Sequence, residues 1–229
     1  MTNQHSTQTP NNKQTKRETS WQRMAETDPI HLRDPLAEVL GMVSKNEPLV
    51  FTFSEIAKAA GHACPAVAGA YRGTQLALSK LYPDTYPVRS EIEVTVGHSR
   101  EIPGIGPMAN VISHITGASD ERGFIGFNGY GARDNLLEFD PEMGSDTGRV
   151  FWFSQRESDR TIHVEFTPQI IENDSPDEGS DPRQLLPKII SGKATPEEQE
   201  KFYHRWHTRV QTILSSDPGA GSPLTMRVE

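Results

Sequence analysis

The chain has 229 residues, a single cysteine and a formal net charge of −8 at pH 7. That charge argues against general nucleic-acid binding, which needs a basic face, and one thiol excludes an intramolecular disulfide. With 34% hydrophobic residues the sequence can fill one core but leaves residues over for tails and loops. No apolar run reaches the length of a membrane span and the polar start has no hydrophobic signal core, so a soluble, cytoplasmic protein without a membrane partner is expected.

Residues 1–20 are rich in Asn, Gln, Thr and Lys and show no apolar periodicity; they are expected to be a disordered tail. A core domain is expected over residues 28–172. From Asp28 to Val43 the apolar residues Ile30, Leu32, Leu36, Val39, Leu40 and Val43 fall at three- and four-residue steps, which predicts helix split by Pro29 and Pro35. Phe51 to Ala60 predicts a second short helix that delivers the chain to Gly61. A longer helix is expected from Pro65 to about Leu81. Its first half is lined by Ala66, Ala68, Gly69, Ala70 and Gly73, small residues that let another backbone or a ligand come close.

Ser90 to His98 alternates, with Ile92, Val94 and Val96 on one face, and reads as a half-buried strand. Met108 to Ile115 fits helix or strand equally. Phe124 to Phe127 is expected to be a strand, and Val150–Arg156 with Thr161–Pro168 a β-hairpin. Residues 173–183 form an acidic linker. A C-terminal helical segment follows over residues 184–216, where Thr195-Pro196-Glu197-Glu198 supplies an N-cap, a first-turn proline and a capping-box glutamate. Phe202, Trp206, Val210 and Ile213 make its apolar stripe. Residues 217–229 are expected to be a frayed tail.

The chemistry concentrates in Gly61-His62-Ala63-Cys64-Pro65. Proline suits the first position of a helix, which makes Cys64 the N-cap, and the partial positive charge of a helix N-terminus favours thiolate. Thiolate and imidazole two residues apart suit Zn²⁺ or a similar transition metal, but two ligands do not close a site. His98, at a strand end, is the expected third ligand and His114 a weaker fourth; His163 and the His204/His207 pair are weaker still. Without metal, Cys64 could instead serve as a catalytic nucleophile with His62 or His98 as base. A third reading is a non-catalytic accessory component of a larger complex that docks through the Phe202/Trp206 stripe.

The Gly61–Pro65 motif, followed by a helix with Gly69, Tyr71 and Arg72, resembles the signature of the formylmethanofuran dehydrogenase E-subunit-like family. The likeness continues through the strand Glu91–Val96, the segment ending Ile115-Thr116-Gly117, and Asn135 and Phe139 downstream. The resemblance implies an α+β fold, a mixed or antiparallel sheet with packed helices plus a C-terminal helix. It also implies a homodimer and metal binding, zinc in particular, with His62 and Cys64 matching the site motif. The chain departs from the family where Ala118 stands in place of a second cysteine and where Asn110 and Ser113 replace an Asp and a Gln. Loss of the second thiol disfavours dithiol chemistry and favours a histidine-richer site. The expectation is therefore a metal-binding protein, with a small-molecule ligand possible and catalysis open.

Overall fold

The computed structural model describes residues 24, 27–156, 158–173 and 182–229; the N-terminal tail and most of the acidic linker lie outside the described residues. Five strands make the main sheet, in the spatial order β4 (Leu137–Phe139), β3 (Ile92–Val96), β5 (Arg149–Gln155), β6 (Thr161–Phe166) and β7 (Leu224–Val228). β3 and β4 run parallel and the other pairs antiparallel. Alternation decides which face is buried: Ile92, Val94 and Val96 point inward from β3, and Ile162, Val164 and Phe166 from β6. Among the described residues seven helices accompany this sheet and a two-stranded one. The fold is α+β, as expected.

The motif helix α3 (Pro65–Leu81) packs on β5, β6 and β7. Its small residues serve close packing. A Cβ built on Gly69 would lie 2.6 Å from the Phe166 ring, and one on Gly73 would lie 3.2 Å from Val164. Behind α3 stand α4 (Ile105–Thr116) and α7 (Pro196–Leu214). The capping box expected at Thr195 and Glu198 is formed. Short helices α5 (Gln169–Asn173) and α6 (Leu186–Ile190) connect the hairpin to α7.

Upstream, Ile30 and Leu32 belong not to a helix but to strand β1 (Ile30–Leu32), paired antiparallel with β2 (Leu49–Phe51). Both residues are buried with His31 partly exposed between them, so a period of two overrode the helical spacing. Asp34 then caps the short helix α1 (Pro35–Val39), and a Thr52/Glu55 capping box opens α2 (Phe53–Ala59). Tyr71, fully buried in α3, ties the two-stranded sheet to the core through its hydroxyl, 2.9 Å from the Phe51 carbonyl and 3.1 Å from that of Asp28.

Two more expectations are corrected. Phe124–Phe127 is loop; Phe127 makes only an isolated bridge with Tyr130, and Phe124, Ile125 and Phe127 are exposed. The supposed tail after residue 217 contains β7, which pairs with β6 along its length and buries Leu224 completely. The open edge of β6 needs hydrogen-bond partners, and β7 supplies them.

Candidate metal centre

The Gly61–Pro65 motif is the junction between α2 and α3. α2 stops at Ala60, and Gly61 adopts a φ of +80°, a left-handed turn that costs glycine nothing. Cys64 is extended (φ −143°, ψ 168°) and caps α3, with Pro65 in the first turn, as the spacing predicts. The loop is held from outside by α7: the Trp206 indole N–H donates to the Ala63 carbonyl at 2.8 Å. Phe202 is buried and stacks on Trp206 with ring centroids 5.4 Å apart. The Phe202/Trp206 stripe therefore packs on its own chain and is not a free docking face.

His62 is exposed, and its Nδ1 lies 3.0 Å from the carbonyl oxygen of Ala60. Only an N–H can face a carbonyl oxygen favourably, so Nδ1 carries a proton, and in the neutral ring the lone pair is then on Nε2. A metal-ligating imidazole is commonly oriented in this way, with one nitrogen donating to a backbone carbonyl while the other is left for the ion. Cys64 is half-buried and packs against the hydrophobic core. Burial pushes its thiol above the ordinary value, and the backbone N–H groups of Val67 and Ala66 offset this only in part. Its sulfur makes no capping hydrogen bond of ordinary geometry. The helix terminus thus fails to produce the lowered thiol expected for a metal-free nucleophile.

The remaining histidines are placed elsewhere. His98 is buried beyond the end of β3, where its Nε2 accepts the Val150 N–H at 3.1 Å. Burial and Arg149 hold it below its ordinary value, a backbone hydrogen bond with Gly148 pulling the other way. His114 is exposed on α4, edge-on to the Phe51 ring at 6.1 Å. His163 is buried against Trp152, ring centroids 4.5 Å apart. His207 stacks on Tyr203 within α7. Among the described residues no three His, Cys, Asp or Glu side chains gather into a group that could hold a metal ion. The four expected ligands His62, Cys64, His98 and His114 therefore do not converge within one chain.

The family model described as "FmdE, Molybdenum formylmethanofuran dehydrogenase operon" matches residues 59–220, from the end of α2 to just short of β7. The chain belongs to the FmdE family. No curated protein matches it. The match takes in the junction loop, the main sheet up to β6, and α7, so the stripe that clamps Ala63 lies inside the family region.

A second feature of the FmdE region escaped sequence reasoning. A cavity of about 450 Å³ lies beside α4, lined by Asn110, Ser113, Ser119, Asp120, Arg100 and Phe139, among others. Asn110 and Ser113 are the two positions noted above as replacing an Asp and a Gln. Arg100 covers the Phe139 ring at 4.3 Å and pairs with Asp120 at 3.0 Å, and Arg122 pairs with the same carboxylate at 2.6 Å. These hydrogen bonds hold the Asp120 carboxyl well below the usual carboxylate range. No local spacing links Arg100, Asp120 and Phe139; only the folded chain brings them together. No helix among the described residues is long and apolar enough to cross a membrane.

Proposed function

We propose that this FmdE-family protein is a cytoplasmic metal-binding protein, with zinc the fitting ion, held by Cys64 Sγ and His62 Nε2. The observation that carries this reading is the His62 Nδ1 contact with Ala60, which leaves Nε2 for an ion two residues along the chain from the capping Cys64. A thiol raised by burial does not argue against a metal, because coordination itself removes the proton. Two protein donors leave the other positions of a tetrahedral ion to water, a small-molecule ligand or a second copy of the chain, and a homodimer fits an exposed His62. A bound zinc ion would supply Lewis acidity to a ligand at those positions. His98 and His114 are not part of the proposed set, since His98 Nε2 already accepts Val150 N–H and His114 stands apart on α4.

Metal analysis of the purified protein tests the reading. Wild type is expected to carry close to one equivalent of zinc per chain. Cys64→Ala and His62→Ala are each expected to lose most of it, and His98→Ala to keep it. A folded wild type without metal, unable to take up zinc on titration, overturns the proposal.

A further inference from the structure

Neither His62 nor Cys64 lines the cavity beside α4, which has a chemistry of its own. Its volume, about 450 Å³, falls within the range of roughly 300–1,000 Å³ typical of sites that hold small organic molecules. One wall is a single face of α4, where Gly106, Ala109, Asn110 and Ser113 recur at three- and four-residue steps. Leu137 and Phe139 of β4, an edge strand of the main sheet, line it as well. Together with Ala109 they give the cavity an apolar side. Among the described residues the Asn110 amide and the Ser113 hydroxyl make no hydrogen bond to protein.

The charged groups are engaged unequally. Arg122 gives Asp120 two guanidinium donors, Nε at 3.2 Å and Nη2 at 2.6 Å, and its backbone N–H at 3.1 Å. That pair closes on itself, and Glu121 adds negative charge beside Arg122. Arg100 gives Asp120 only Nη1, at 3.0 Å. Among the described residues its Nε–H and Nη2–H have no protein acceptor. Its side chain is 49% exposed, so a ligand can reach it. Two contacts fix the plane of this guanidinium: the Asp120 ion pair and the Phe139 ring, 4.3 Å from its centre. A guanidinium held flat with its Nε and Nη2 donors free matches a carboxylate, which accepts two parallel N–H bonds. Because the side chain is already ordered, little rotamer entropy is left to lose on binding.

We propose that this cavity binds a small organic monocarboxylate with an apolar, ring-sized body. Arg100 Nε–H and Nη2–H take the carboxylate, and the surface of Ala109, Leu137 and Phe139 takes the body. Asn110 and Ser113 serve a further polar substituent. Asp120 disfavours a dianion, and a bare inorganic anion would leave the apolar side wet. The site stands independently of the proposed metal.

The test uses the full chain and sodium benzoate as probe, against sodium chloride at equal ionic strength. Benzoate is expected to shift the backbone amide signals of Arg100, Asn110 and Ser113 saturably in a ¹H–¹⁵N spectrum, and chloride is not. Acetate has the charge without the body, and benzamide the body without the charge; each is expected to bind roughly tenfold more weakly or worse. Arg100→Lys keeps a positive charge but loses the fork. It is expected to weaken benzoate binding by about tenfold or more with zinc content unchanged. Cys64→Ala separates this site from the metal: it is expected to lose zinc yet bind benzoate like wild type. Wild-type signals that move no more with benzoate than with chloride overturn the proposal, and that reading needs no variant. Acetate, benzamide or inorganic phosphate binding as tightly as benzoate overturns it too. So does an Arg100→Lys protein that binds benzoate like wild type, or a Cys64→Ala protein that no longer binds it.

Discussion

The Trp206 indole donates to the Ala63 carbonyl across 143 residues of sequence, so the C-terminal helix holds in place the one residue that separates His62 from Cys64. Helix and motif are thereby a single unit. Trp206→Phe keeps the stacking on Phe202 but strands a half-buried carbonyl. It is expected to cost about 1–3 kcal/mol in urea unfolding and to speed loss of metal to a chelator. A variant with unchanged unfolding and unchanged metal retention would show that the contact does not hold the loop.

Cys64 gives a prediction with a defined sign. Because burial raises its thiol, metal-free folded protein is expected to react slowly with iodoacetamide at pH 7 and to accelerate only above the ordinary thiol range of about 8.5. The folded state then holds this proton longer than the unfolded chain does, so the contribution is present below the unfolded value and stability falls as pH rises through it. Rapid alkylation at pH 7 would restore the nucleophile reading.

His98 and His163 act in the opposite direction. Burial holds both below their ordinary value, so on acidification the unfolded chain takes up protons that the folded state refuses. Stability is expected to fall as pH drops through about 6.5. His98→Ala removes the acceptor of the buried Val150 N–H and is expected to cost about 1–3 kcal/mol. If its loss instead stripped the metal from a fully folded protein, His98 would be a ligand.

The approach of α3 to β6 rests on absent side chains. Gly69→Ala puts a methyl 2.6 Å from the Phe166 ring. Despite the helix propensity gained, a net destabilisation of about 1–3 kcal/mol is expected from overpacking. An unchanged or raised unfolding temperature would mean that the ring moves aside freely.

Ending the chain at Asp217 removes β7 and bares the edge of β6 together with the surface that covers Leu224. Such a protein is expected to unfold at a markedly lower temperature and to aggregate on concentration. A truncated chain as stable as the full one would return these residues to the status of a tail.

Much of the fold was legible where local signals agreed. The Pro65 start and Leu81 end of α3, the alternation in β3, the β5–β6 hairpin and the capping box at Thr195 each carry their own chemistry within a few residues. The failures occurred where a partner made the choice. Ile30 and Leu32 fit a helix by spacing, yet pairing with β2 made them a strand; residues 224–228 are apolar only at intervals, and their order comes from the edge of β6. The site was legible by halves for the same reason. His62 and Cys64 are neighbours in the chain, whereas whether His98 or His114 reaches them depends on packing, and packing placed His98 against Val150.

By itself the sequence determined the junction loop, because a glycine that turns left, a histidine, a capping cysteine and a first-turn proline are all local choices of backbone conformation. It also carried the family signature. Only the tertiary structure decided the rest: that Trp206 clamps this loop, that burial outweighs the helix terminus at Cys64, and that Arg89 and Arg133 share Asp34. Long-range hydrogen bonds and charge burial depend on which surfaces meet, and no spacing within the chain encodes that.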